Sequence, residues 1–131
     1  MSFSARGLLQ IGEVAEATGL SLRTIRHYDE VGLLPPVERS PGGFRLYSQE
    51  SVDRLLLVKQ MKPLDFTLEQ MRELIDALDE VDDPATTPDE RAARQALLAS
   101  YAELVEEKVT MLRARARAAA GFAAQLRRVL P

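Results

Sequence analysis

The chain has no cysteine and no tryptophan, and a single histidine, among its 131 residues. Without cysteine there is no disulfide framework, no thiolate metal site and no thiol redox chemistry. One imidazole, His27, offers neither a second metal ligand nor a nucleophile to activate. No metal, no cofactor and no enzymatic activity are therefore expected. Long apolar runs are missing too. Nothing approaches the ~20 residues of a membrane span, and the opening "MSFSARGLLQ" has no signal-peptide core, so a cytoplasmic protein without membrane contact is expected. The length allows one compact domain with an extension, and not two full-sized domains.

Charge is present but unevenly placed. The net charge is −3, yet residues 1–63 carry 8 basic and 7 acidic side chains, residues 64–107 carry 3 and 13, and residues 108–131 carry 6 and none. An acidic total is thus weak evidence against nucleic-acid binding, because only the face that meets phosphate has to be basic.

Ile11, Val14, Ala15 and Thr18 recur at helical spacing and Gly19 stops them, which predicts a helix over 11–18. Ser21 then serves as the N-cap of a second helix that runs toward Gly32, with Leu22, Ile25 and part of Tyr28 turned inward. Two short helices around a glycine turn make a helix-turn-helix. Arg23, Thr24, Arg26 and His27 are left to face outward, the disposition of a recognition helix that reads base edges and grips phosphates.

The following segment "VERSPGGFRLYS" reads as a β-hairpin. Val37 and Arg39 lie on one side of the Ser40–Gly43 turn; Phe44 and Leu46 alternate with Arg45 and Tyr47 on the other. Behind a helix-turn-helix such a hairpin is a wing, with Arg39 and Arg45 at phosphate height. Ser48 caps a third helix over about 49–62, with Val52, Leu55, Leu56 and Met61 inward. Pro63 to Phe66 break it, and Thr67 with Gln70 forms a capping box for a fourth helix, 68–79. The stretch "DEVDDPATTPDE" has no apolar period and reads as a linker ending near Pro88.

Beyond it, Leu98, Ala102, Val105, Val109, Leu112, Ala116, Ala119, Ala123, Leu126 and Leu130 alternate four and three apart without a polar exception, which is a heptad seam. At 1.5 Å per residue a helix from Pro88 to Leu130 extends roughly 60 Å, too far for its own domain to cover. A partner helix is required. The helix is acidic at Glu103, Glu106 and Glu107 and basic at Arg113, Arg115, Arg117, Arg127 and Arg128, so an antiparallel pair sets opposite charges side by side. An antiparallel homodimer is expected. Leu97, Tyr101, Leu104 and Met111 form a second apolar stripe, expected to pack on the fourth helix or the partner.

The run "IGEVAEATGLSLRTIRHYDEVGLLPPVERSPGGFRLYS", followed by "VDRL" and "DFTLEQMREL", closely resembles the DNA-binding region of the MerR family of bacterial transcription regulators. The match covers residues 8–78, and the terminal coiled coil resembles that family's antiparallel dimerisation helix. The resemblance implies a mainly α fold, a winged helix-turn-helix with a small β-hairpin wing over residues 1–80, an acidic linker over 81–88 and a dimerisation helix over 89–131. It further implies a homodimer on double-stranded promoter DNA that bends and untwists an overlong spacer, so that RNA polymerase is engaged indirectly, through the promoter. The expected DNA contacts are Ser21, Arg23, Thr24, Arg26, His27 and Tyr28 on and before the recognition helix, Arg39, Gly43, Arg45 and Tyr47 on the wing, and Lys62 as a second wing contact.

Two departures from the family pattern bear on function. Family metal and redox sensors use cysteines at the ends of the dimerisation helix, and this chain has none. The family's glycine before "FTL" is Asp65 here; aspartate tolerates left-handed backbone, so a similar turn is expected, with a charge that opposes phosphate. Many members also carry a C-terminal ligand domain, whereas this sequence stops just after the coiled coil, which leaves a small-molecule effector open. Two other functions compete: an architectural DNA-bending protein of excisionase type, and a coiled-coil adaptor whose winged helix binds protein.

Overall fold

The computed structural model describes residues 7–36 and 38–131. Five α-helices follow in order: α1 (Ile11–Thr18), α2 (Leu22–Glu30), α3 (Gln49–Met61), α4 (Leu68–Val81) and α5 (Pro88–Arg128), with a short 3-10 turn at Lys62–Leu64. The described residues fall into two compact units that divide between Ile75 and Asp76, inside α4.

Helix boundaries in the first unit follow from their caps. Glu13 turns its carboxylate back on the Gln10 N–H to open α1, and Gly19, left-handed at φ 73°, closes it. The Ser21 hydroxyl accepts the Thr24 N–H at the start of α2, Ser48 does the same for Ser51 at α3, and Thr67 and Gln70 exchange the two bonds of a capping box at α4. The expected left-handed residue before α4 is Asp65, at φ 60°.

Carbonyls at the helix ends are taken by cations from far along the chain. Lys59 donates to the Thr18 carbonyl at 2.8 Å, Arg72 to Val31 at 2.5 Å and Arg54 to Leu33 at 3.1 Å. Each positive charge sits at or just beyond the negative end of a helix dipole and ties two elements together. Three basic side chains of this unit are thereby structural.

Beneath them, α1 packs on both α2 and α3. Val14, Ile25, Leu33, Leu46, Leu55, Val58 and Ile75 are fully buried, each stabilising the fold by roughly 1.5–3 kcal/mol. Two of the expected inward residues are not part of this core: Leu22 and Leu56 are about 40% exposed. Leu22 sits at the first turn of α2, where only Ile25 and Tyr28 reach the interior. On α3 the buried stripe runs Val52, Leu55, Val58 and Met61, which carries Leu56 to the flank and adds Val58, absent from the expected set.

The wing also differs from expectation. Among the described residues no strand forms: pairing is limited to two isolated antiparallel bridges, Leu9 with Tyr47 and Arg39 with Arg45. Val37, expected in the first hairpin strand, lies outside the described residues. The turn itself is well defined, with the Ser40 N–H donating to the Phe44 carbonyl, the Gly43 N–H to Ser40, and Gly43 at φ 85°. The physical reason is visible on the return segment. Leu46 and Tyr47 are both buried while Phe44 is 76% exposed, so the expected alternation of faces fails. Tyr47 exchanges both backbone bonds with Leu9, each at 2.7 Å.

In the second unit the expected acidic linker is a built turn. α4 continues to Val81, two residues past its expected end, and residues 82–87 fold back on it. Thr86 donates its hydroxyl to the Glu80 carbonyl, and the Arg91 guanidinium donates to the carbonyls of Val81, Asp83 and Thr86. Arg94 pairs with Glu80. Thr87 and Glu90 then form a capping box, with Pro88 at the first turn, and α5 runs unbroken for 41 residues.

Candidate nucleic-acid interface

On α2, burial of Ile25 and Tyr28 leaves Arg23, Arg26 and His27 exposed. Arg23 and Arg26 make no ion pair with another described residue. Asp29, an acidic residue on the same helix, is engaged elsewhere. Its carboxylate accepts from Arg45 Nε at 2.6 Å and Nη2 at 3.0 Å, and from the Tyr47 hydroxyl at 3.2 Å. The Asp29 side chain is only 5% exposed, whereas that of Arg45 remains 41% exposed.

Arg26, Arg39, Arg45 and Tyr47 line one open cleft of about 260 Å³, together with Ile11, Asp29 and Glu30. Three arginines from α2 and the loop 38–47 thus line the same cleft. Arg39 also donates to the Gly43 carbonyl at 3.0 Å, which closes the loop tip. Burial, and then the negative charge and hydrogen bond of Asp29, push the Tyr47 hydroxyl above its ordinary pKa.

The other expected contacts fall outside this cleft. Ser21 and Thr24 are joined by a hydroxyl–hydroxyl bond at 2.9 Å and serve the helix cap first. Tyr28 is buried with its ring 5.3 Å from that of His27, and Lys62 is exposed at the end of α3. Tyr47, by contrast, lines the cleft but is buried and gives its hydroxyl to Asp29. The residues that sequence reasoning missed are Asp29, Glu30 and Ile11. An available signal was the acidic pair at the C-terminal end of α2, where the helix dipole disfavours negative charge and some compensating cation is required.

The family model for the MerR HTH family regulatory protein matches residues 9–78, more than half of the chain. The chain belongs to the MerR family. It is 44% identical over 70 residues to the mercuric resistance operon regulatory protein of Bacillus cereus, the match covering 53% of each chain. It spans about half or less of the length of the curated relatives it matches. Among solved structures it is similar to the transcription regulator PbrR691 of Ralstonia metallidurans CH34, crystallised with lead(II): 30% identity, TM-score 0.54, covering 94% of this chain and 88% of that one. It shares its fold with HiNmlR, a MerR family regulator lacking the sensor domain and crystallised on promoter DNA, at TM-score 0.69 and 22% identity, covering 92% and 91% of the two chains.

In this MerR-family chain the expected seam residues from Leu98 to Leu126 lie on α5, and Leu130 falls beyond its end at Arg128. Leu98, Val105 and Val109 are half-buried, whereas Ala102, Leu112, Ala116, Ala119, Ala123 and Leu126 are exposed. Of the second stripe, Tyr101 is buried and Met111 is exposed. Phe122 and Val129, both exposed, widen the apolar face at i and i+7 around Leu126 and were not part of the expected seam. No described helix is long and apolar enough to cross a membrane.

Proposed function

We propose that this MerR-family chain is a sequence-specific transcription regulator that binds double-stranded promoter DNA as a homodimer. The observation that carries the reading is the convergence of Arg26, Arg39 and Arg45 on one open cleft beside the exposed face of α2. A guanidinium fork matches phosphate oxygens bidentately, and a helix with free Arg23 and Arg26 can present donors to guanine edges in the major groove. The exposed apolar face of α5 supports a second copy, and its acidic first half and basic last third favour an antiparallel pair. Two reading heads on one duplex would deform the spacer between them, at a cost on the order of 1–6 kcal/mol offset by backbone contacts, and so act on RNA polymerase through promoter shape.

Footprinting of the purified protein on the DNA flanking its own gene tests this. Protection centred between the two polymerase-recognition elements, with affinity falling steeply as salt rises, is the expected result. Protection of no duplex at low ionic strength overturns the reading.

A further inference from the structure

We propose that Asp29 is a positioning residue that latches the loop 38–47 onto the recognition helix and fixes Arg45 for phosphate. The inference rests on the DNA-binding reading above and adds a residue that would touch no DNA itself. Asp29 lies in the last turn of α2, where the helix dipole works against a carboxylate, and it is almost fully buried. Such a charge persists only where it is fully paired. Its partners supply that pairing from one short segment: the side-on fork of Arg45 at 2.6 and 3.0 Å and the Tyr47 hydroxyl at 3.2 Å, 16 and 18 residues along the chain.

The latch adds to the backbone pairing of the loop. Among the described residues that pairing comprises two isolated bridges, Leu9 with Tyr47 and Arg39 with Arg45, and the turn bonds around Ser40–Gly43, with no continuous strand. Asp29 adds three side-chain bonds at the base of the return segment, while Arg39 ties off the tip at Gly43. The carboxylate also offsets one of the three guanidinium charges around the cleft, which otherwise repel one another when no phosphate is present. Arg45 spends two of its donor positions on Asp29 and keeps the remainder, so it is pre-oriented with free N–H groups, and less side-chain entropy is lost when an anion arrives.

The test compares wild type, Asp29→Asn, Arg45→Ala and the double variant for binding to a promoter duplex across a salt series. Asp29→Asn and Arg45→Ala are each expected to weaken binding about tenfold and to flatten the salt slope by about one phosphate contact. The double variant is expected to be no weaker than Arg45→Ala alone, since the first change acts through the second residue. Wild-type affinity and slope in Asp29→Asn, or losses that multiply in the double variant, would overturn the latch.

Hydrogen exchange supplies an arm without DNA. Amides of residues 38–47 should exchange faster in Asp29→Asn while those of α3 keep their protection. Unchanged protection in the loop sinks the proposal even if the protein binds DNA. Should Asp29→Asn not fold, Tyr47→Phe removes one bond to the carboxylate and leaves the ion pair; a two- to threefold loss of affinity with faster loop exchange is expected, and no change in either counts against it. Failure of wild type to bind any duplex strikes the functional reading alone, because the exchange arm still decides the latch.

Discussion

Tyr47 and Asp29 show how one buried polar pair links stability to the proposed DNA-binding face. The fold favours the protonated tyrosine, because burial and the neighbouring carboxylate both oppose phenolate. Its folded pKa is raised, so the stabilisation is complete below the ordinary value of 10.0 and is lost as pH rises through the higher folded value. Urea midpoints of wild type should therefore fall more between pH 9 and pH 11 than those of Tyr47→Phe; equal slopes would mean that the hydroxyl contributes nothing to the pH dependence. Arg26 is the complementary case, exposed and free of any described ion pair. Arg26→Ala should cost roughly 1–3 kcal/mol on the cognate site and much less on random DNA if it reads a base, as measured by fluorescence anisotropy. Equal weakening on both duplexes would make it a phosphate anchor. Of this residue-level picture, the free arginines were legible in the sequence because helical period alone decides which side chains face out. Asp29 was not, because its partners lie 16 and 18 residues away and only the packed loop brings them back.

At the scale of elements, caps were the most legible feature. Ser21, Ser48 and Thr67 each open a helix with a hydroxyl that accepts the backbone N–H three residues on, a device that needs no tertiary partner; Thr87, not among the expected caps, does the same for α5. The wing and the turn after α4 were less legible for the opposite reason. Burial of adjacent Leu46 and Tyr47 depends on what covers both faces of the segment, and the turn 82–87 is built by Arg91 reaching three carbonyls, neither of which leaves a period in the sequence. The 3-10 turn before α4 offers a direct test of backbone strain. Asp65 sits at φ 60°, where a Cβ is unfavourable and glycine is not. Asp65→Gly is expected to stabilise the fold by up to about 1 kcal/mol and Asp65→Ala to destabilise it by a similar amount, read as urea midpoints. If glycine lowers the midpoint, the aspartate side chain makes a contribution that outweighs its backbone strain.

For the whole molecule the deciding question is how two copies of α5 meet. The helix is 41 residues long and presents Leu112, Phe122 and Leu126 without cover in the single chain, with Val129 and Leu130 exposed just past its end, an apolar face too continuous for an unpartnered surface helix. In an antiparallel homodimer related by a two-fold axis, the numbers of facing residues have a constant sum. Placing Leu98 opposite Leu126 sets the axis at Leu112, itself a seam residue, and brings the acidic Glu103–Glu107 segment of one copy alongside Arg117 of the other. A parallel pair instead sets every seam residue against itself. Because the natural chain has no cysteine, single introduced thiols report cleanly on the two arrangements. Leu112→Cys should oxidise to a covalent dimer in either orientation, since it lies on the axis in one and beside its own copy in the other. Leu98→Cys decides: its Cα atoms are far beyond disulfide reach across an antiparallel pair and adjacent in a parallel one. The expected outcome is that Leu98→Cys alone stays uncrosslinked, whereas mixing it with Leu126→Cys yields a mixed disulfide. Efficient crosslinking of Leu98→Cys to itself would reverse the orientation, and with it the spacing of the two reading heads on DNA.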